Sequence, residues 1–341
     1  IFKRLPLRPA GWPAMLVMLI GSVLLFDFLN GFHDSAKLLA TLIASRALAP
    51  RPALLLTAAA MLTGPFLFGS AIARTVGRGL VQPGAATLPV FLAAVWGATT
   101  WALITWYTGM PSSRAHALVG AILGSAAVSS GLGSVQWAGI GTVYAALLLS
   151  PLLGLLFGYL FLKLVLELAQ AASPSINLWF KRAQRFTFMG LALTHGSNSA
   201  QNSMGIITLG LFVSGLVPGF VVPVWVVAAS ALASAAGMLT GGRRLMRTLG
   251  SGMYTIRPVH AFASQAAAAA VILGAALTGA PVSTTHITGA AIMGVGAAQN
   301  VRRVRWGVAL EILWTWLLTI PLSALLAAFF GLLLRQAGVT Q

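Results

Sequence analysis

"PSSRAHALVGAILG" (residues 111–124) returns late in the chain as "PVSTTHITGAAIMG" (281–294), and both strings fit P-x-S-x-x-H-x5-I-x-G. One such string is noise, but two at matched places mark an internal duplication. A second pair agrees: "GFHDSAK" (31–37) corresponds to "GSNSAQN" (196–202), at an offset of 165 residues against 170 for the first pair. The chain therefore reads as an N-terminal repeat over 1–168, a basic linker over 169–185 and a C-terminal repeat over 186–341.

What lies between the motifs is too apolar for water. Of 341 residues, 58% are hydrophobic and 7% charged, with a mean hydropathy of +0.90. A soluble domain carries about 25% charged residues, so an integral membrane protein is expected. Apolar segments fall near 12–30, 35–49, 53–76, 86–109, 111–130 and 135–166. They resume near 186–196, 200–217, 221–240, 258–279, 281–299 and 306–334. At about 20 residues per span, this allows roughly eight to twelve crossings. The pieces at 35–49, 111–130, 186–196 and 281–299 are short or interrupted and read as half-helices or re-entrant hairpins. Such breaks survive at membrane depth only inside protein or along a wet cavity. The expected fold is an all-α polytopic membrane protein of about 10–12 helical segments, in two repeats with broken helices.

The net charge of +17 does not point to nucleic acid, because the basic residues sit in short clusters between apolar runs. Absence of cysteine excludes disulfides, thiolate metal sites and thiol redox chemistry. No cleavable signal peptide is evident. Lys3, Arg4 and Arg8 before the first apolar run read as a first span with its N-terminus inside. The charges also orient the repeats. Arg302, Arg303 and Arg305 correspond to uncharged "LGSVQ" (132–136), and Arg46 and Arg51 to uncharged "LFVSGL" (211–216). Arg74 and Arg78, which map near Arg243, Arg244 and Arg247, are the exception. Equivalent loops facing opposite sides favour inverted over parallel repeats.

In "PVSTTHITG", proline starts a helix well and Ser or Thr caps its free N–H groups. A helix that begins at membrane depth aims unpaired donors and a positive dipole end inward, which suits an anion. Two such starts, related by the repeat, converge on one oxyanion. Ser112, Ser113, Ser283, Thr284 and Thr285 supply neutral donors, and Asn198 and Gln201 of the second motif assist. In "LLFDFLNGFHDSAKLLATLIASRALAP" (24–50) stand two of the chain's four acids. A carboxylate at the centre of a span costs about 3 kcal/mol, so an acid there is functional by default. Asn30, Gly31 and Asp34 suit a broken helix that holds Na⁺ or relays a proton, with Ser199 and Asn202 as partners. Na⁺, if present, would sit at Asp34 and Asn30; no other cofactor is indicated. Lys37, one turn after Asp34, either pairs with it or lines the cavity. Asp27 either lines the pathway or pairs with a distant Arg. His33 and His195 lie near the breaks and face the cavity; His116 and His286 bond neighbouring backbone.

These residues resemble the inorganic phosphate transporter family, the PiT-type phosphate:cation symporters. "NGFHDSAKLLATLIASRAL" (30–48) looks like the family's first signature and "HGSNSAQNSMGIITLGL" (195–211) like the second. "RPVHAFASQAAAAAVI" (257–272) and "GAPVSTTHITGAAIMGVGAA" (279–298) resemble its tail. The resemblance implies inverted repeats, a phosphate site between the halves, coupling to Na⁺ or H⁺, a homodimer and a plasma or inner membrane location. The chain departs from the family pattern at Lys37 (usually Asn), Ser199 (usually Asp), Asn202 (usually Lys) and Gln265 (usually Glu), a further cavity candidate. Asp34 alone keeps an acid among the paired positions. Extra donors favour fully deprotonated sulfate, whereas a site that accepts a proton favours hydrogen phosphate; phosphate is the first reading and sulfate the second. An intramembrane hydrolase finds no support, since neither H-E-x-x-H nor G-x-S-x-G occurs. An anion channel is the remaining rival.

Overall fold

The computed structural model describes residues 12–110, 112–173, 175–249, 257–304 and 306–339, without the side chains of 12, 36, 37, 40, 242–249, 303, 308, 311 and 312. Eleven α-helices run through the described residues: α1 (Trp12–Ala44), α2 (Pro50–Leu67), α3 (Ala71–Arg78), α4 (Leu88–Thr108), α5 (Arg114–Ser130), α6 (Trp137–Leu168), α7 (Ile176–Val213), α8 (Val224–Leu249), α9 (Pro258–Thr278), α10 (Thr284–Asn300) and α11 (Trp306–Gln336).

Six of them carry a stretch long and apolar enough to cross a bilayer, or seven crossings arise if bent α2 and α3 act together. That is fewer than the sequence suggests, for two reasons. Helices α5 and α10 have 17 residues each, about 26 Å at 1.5 Å per residue, short of the roughly 30 Å hydrocarbon core. Helix α7 is long enough, but its middle is polar: Thr194, His195, Ser197, Asn198, Gln201, Asn202 and Ser203 are all buried there. It packs against α1, α2, α3, α8 and α9, so its polar groups meet protein and not lipid. Leucines of α6 and α11 such as Leu152, Leu160, Leu317 and Leu325 stay exposed, the outward apolar surface a bilayer would cover.

Two expected breaks are absent. Helix α1 runs unbroken through Asn30–Asp34, and α7 through 196–200. Gly31 is a packing residue here: a β-carbon on it would lie 1.9 Å from the Ser234 carbonyl oxygen of α8. Its cost in a helix interior, about 1 kcal/mol, is offset by that close approach. The break falls instead in the apolar segment 53–76, where α2 and α3 meet at 75° around Gly69, in the left-handed region at φ +73°. The stretch read as a linker is helical from Ile176 onward. Gln184 within it is fully buried, accepting from Ser45 Oγ at 2.5 Å and donating to the Pro258 carbonyl at 3.1 Å.

The short helices begin from a corner built twice. Helices α4 and α9, of 21 residues each, end on Gly109 (φ 75°, ψ 11°) and Gly279 (φ 76°, ψ 17°). The next N–H folds back, Met110 to the Thr105 carbonyl at 2.9 Å and Ala280 to the Ala275 carbonyl at 3.0 Å, which is the Schellman closure. Packing follows the same duplication. Helix α1 lies along α8 as α7 lies along α2; α5 lies along α11 as α10 lies along α6. Helices of the two halves therefore interleave, and the polar middle of the bundle sits at their joint.

Candidate anion site between the two halves

Each short helix starts on a serine in extended conformation, Ser113 (φ −97°, ψ 124°) and Ser283 (φ −89°, ψ 98°). Ser113 Oγ accepts from the His116 N–H at 3.4 Å, and Ser283 Oγ from the His286 N–H at 3.3 Å. This is N-capping at the third helical position, repeated 170 residues apart. Pro111 lies outside the described residues.

Both starts open on one narrow cavity. Its wall comes from Phe26 and Asn30 on α1, Ser113, Arg114 and Leu118 on α5, Asn198, Ser199 and Asn202 on α7, and Ser283, Thr284 and Thr285 at α10. Of the residues singled out for an anion, Ser113, Ser283, Thr284, Thr285 and Asn198 are thus brought together. Asn30, Ser199 and Asn202, read as cation ligands, line the same space. Asn198 Nδ2 donates to the Val282 carbonyl at 3.1 Å, and Asn202 Nδ2 to the Asn198 carbonyl at 3.2 Å. Those bonds leave the side-chain oxygen of Asn198 as a buried acceptor without a partner; Asn30 Oδ1 is another.

Other expected residues stand elsewhere. Ser112 Oγ accepts from Trp101 Nε1 at 3.1 Å and meets Thr319 Oγ1 at 3.2 Å, tying α5 to α4 and α11. Gln201 accepts from the Ile72 N–H at 2.9 Å and donates to Ser197 Oγ at 3.0 Å, so its amide caps α3. Gln265 spans Thr41 Oγ1 and Thr187 Oγ1, each at 3.0 Å. His33 stacks on Trp106 with ring centroids 5.7 Å apart. The Lys37 side chain is outside the described residues. His116 and His286 bond through their backbone N–H to the serine caps, and their rings meet each other at 5.4 Å beside Trp316.

The residue that sequence reasoning missed is Arg114. It occupies the first position of α5, lines the cavity, and forms an ion pair with Asp34. His195 Nε2 reaches the same carboxylate at 3.0 Å. The signal was available: Arg114 is the one charge within either copy of the repeated motif, where the second copy has Thr284. Asp34 lies behind Arg114, outside the cavity wall, with its charge compensated by the guanidinium. Among the described residues no cluster of three or more acids and histidines forms a metal site.

A bundle of apolar helices encloses a polar chamber walled by two capped helix starts. The chain belongs to the phosphate transporter family, which it matches over residues 30–327; it is a multi-pass membrane transport protein and not an enzyme. It is 38% identical over 326 residues to a probable low-affinity inorganic phosphate transporter of Bacillus subtilis (strain 168), covering 94% of this chain and 97% of that one. A protein of the same description from Rhizobium meliloti (strain 1021) is 39% identical over 316 residues, 92% of this chain and 95% of its own. A solved structure of "the sodium-dependent phosphate transporter" superposes with a TM-score of 0.86, over 95% of this chain and 99% of that one. At 24% identity the likeness is one of fold.

Proposed function

We propose that the protein is a secondary transporter that imports inorganic phosphate across the plasma or inner membrane by symport with Na⁺ or H⁺. The anion sits between the starts of α5 and α10, held by their backbone donors, Ser113, Ser283, Thr284, Thr285 and the Arg114 guanidinium. The reading rests on one observation: paired helix starts from the two halves, with a cation beside them, share a wall with the unsatisfied acceptor Asn198 Oδ1. Hydrogen phosphate can donate its O–H to that oxygen; sulfate cannot. The family and the names of its relatives support phosphate as cargo.

Coupling follows from Asp34. While its carboxylate holds Arg114, the guanidinium charge is partly spent. A Na⁺ or proton taken up by Asp34 would release that charge toward the anion, so each ligand favours the other. Matched helix pairings between the halves support reading them as inverted repeats, which would alternate access around the midplane site.

Uptake of labelled phosphate and labelled sulfate into proteoliposomes, each under imposed Na⁺ or pH gradients, tests this. Phosphate should accumulate against its gradient. Asn198→Ala should narrow the preference for phosphate over sulfate by about ten- to a hundredfold, the 1–3 kcal/mol of a lost buried hydrogen bond. Selective sulfate uptake, or downhill flux alone, would overturn the reading.

A further inference from the structure

Asp27 on α1 is an acid outside the cavity wall described above. It is fully buried at the contact of α1 with α7 and α8. Ser203 Oγ donates to its Oδ1 at 2.6 Å, whereas Oδ2 has no hydrogen-bond partner. Ser230 on α8 faces the carboxyl without completing a hydrogen bond of good geometry. No ion pair reaches Asp27 among the described residues. An ionised carboxylate stays buried only when paired or neutralised. One proton on the carboxyl removes the uncompensated charge and makes the partnerless Oδ2 an O–H donor, while Oδ1 goes on accepting from Ser203.

We propose that Asp27 is the binding site of a proton that is carried together with the anion. This rests on the transport reading above and extends it. Position supports the assignment. Phe26, beside Asp27, and Asn30, one turn on, both line the anion cavity, as does Asn202 beside Ser203. An ionised Asp27 so close would repel an incoming oxyanion, and a neutral one would not. Proton and anion therefore bind cooperatively, and by linkage each raises the affinity of the other. Proton relays through buried acids are a recurrent device in membrane transporters. A hard metal cation would need about six or more oxygens, and Ser203 already turns its hydrogen toward the carboxyl. The charge balance is simple: Asp27 takes H⁺ when open to one face and gives the same H⁺ to the other.

Asp27 is then a second coupling site, separate from Asp34, and the groups around it are few. Helix α7 presents Ser203 and α8 presents Ser230. Helix α4, also packed on α1, has one ionisable residue, Tyr107, which is 88% exposed at its far end. Asp34 and His33 lie about two turns along α1, with Asp34 engaged by Arg114 and His195.

Proteoliposomes carrying the full chain provide the test, with labelled phosphate uptake driven by a pH gradient, by a Na⁺ gradient, or measured as gradient-free exchange. Asp27→Asn, which keeps the shape of a protonated carboxyl, should exchange within about threefold of the native rate yet lose about tenfold or more of its response to pH. A full pH response in Asp27→Asn would overturn the proposal; loss of the Na⁺ response with pH drive intact would overturn it in favour of a metal ion. If Asp27→Asn does not exchange, Asp27→Glu decides. Exchange with pH-driven uptake at a displaced pH supports the site, and exchange without pH drive overturns it. If neither variant exchanges, infrared difference spectra of the native protein decide: a protonated-carboxyl band that persists in Asp34→Asn and strengthens with inorganic phosphate supports it, and its absence sinks it. Native protein that moves no phosphate under any gradient would instead defeat the transport reading itself.

Discussion

The guanidinium of Arg114, at the first turn of α5, is ion-paired with the carboxylate of Asp34 on α1. The pair joins the wall of the candidate anion cavity to the chain's first polar motif. Its side chains are 13% and 1% exposed, so it behaves as a buried pair. Removing Asp34 strands Arg114, and removing Arg114 leaves the carboxylate to His195: Asp34→Leu alone should cost about 3–5 kcal/mol of stability and Arg114→Ala less, while the double variant recovers most of the larger loss. Thermal unfolding in detergent of the two single variants and the double checks this. In transport, Asp34→Asn should flatten the dependence of phosphate affinity on the coupling cation; an unchanged dependence would refute its coupling role.

Ser113 and Ser283 make the same bond to the same position of their helices. Ser113→Ala and Ser283→Ala should each lower stability by about 1 kcal/mol, with Gly in place of Ala costing only a few tenths. Each should also raise the KM for phosphate, and by similar factors, because the two caps occupy equivalent places. A strong effect in one and none in the other would show that the anion leans on a single helix start.

Gln201 separates stability from binding. Its carbonyl receives the Ile72 N–H, so Gln201→Leu leaves a buried donor unsatisfied at a cost of about 1–3 kcal/mol. The phosphate KM should stay within about twofold of native, since the amide is not in the cavity wall. A large rise in KM with normal stability would restore Gln201 as an anion ligand.

Gly31 holds α1 against α8. A methyl group there meets the Ser234 carbonyl oxygen at 1.9 Å, and the helices must part to admit it. Gly31→Ala should destabilise by about 1–3 kcal/mol, as overpacking does. Unfolding midpoints close to native would show that the contact yields.

How far the sequence revealed the site depends on which residues carry the signal. The duplicated P-x-S-x-x-H string located both helix starts, because capping is local and its chemistry is written in adjacent residues. It did not reveal Arg114, since attention to what the copies share hides what one copy has alone. Asn30 and Gly31 looked like a break because both are poor helix formers. The glycine instead makes room for the Ser234 backbone, some two hundred residues away. Gln201 sits in a polar string beside the wall residues Ser199 and Asn202, whereas Gln265 stands in an alanine run, and only three-dimensional packing shows that both amides tie helices together.

The cavity wall is drawn from α1 and α5 on one side and α7 and α10 on the other. Whatever fills it touches both halves at once, as a keystone touches both sides of an arch. Neither half of the chain, expressed alone, would own more than a fraction of a socket.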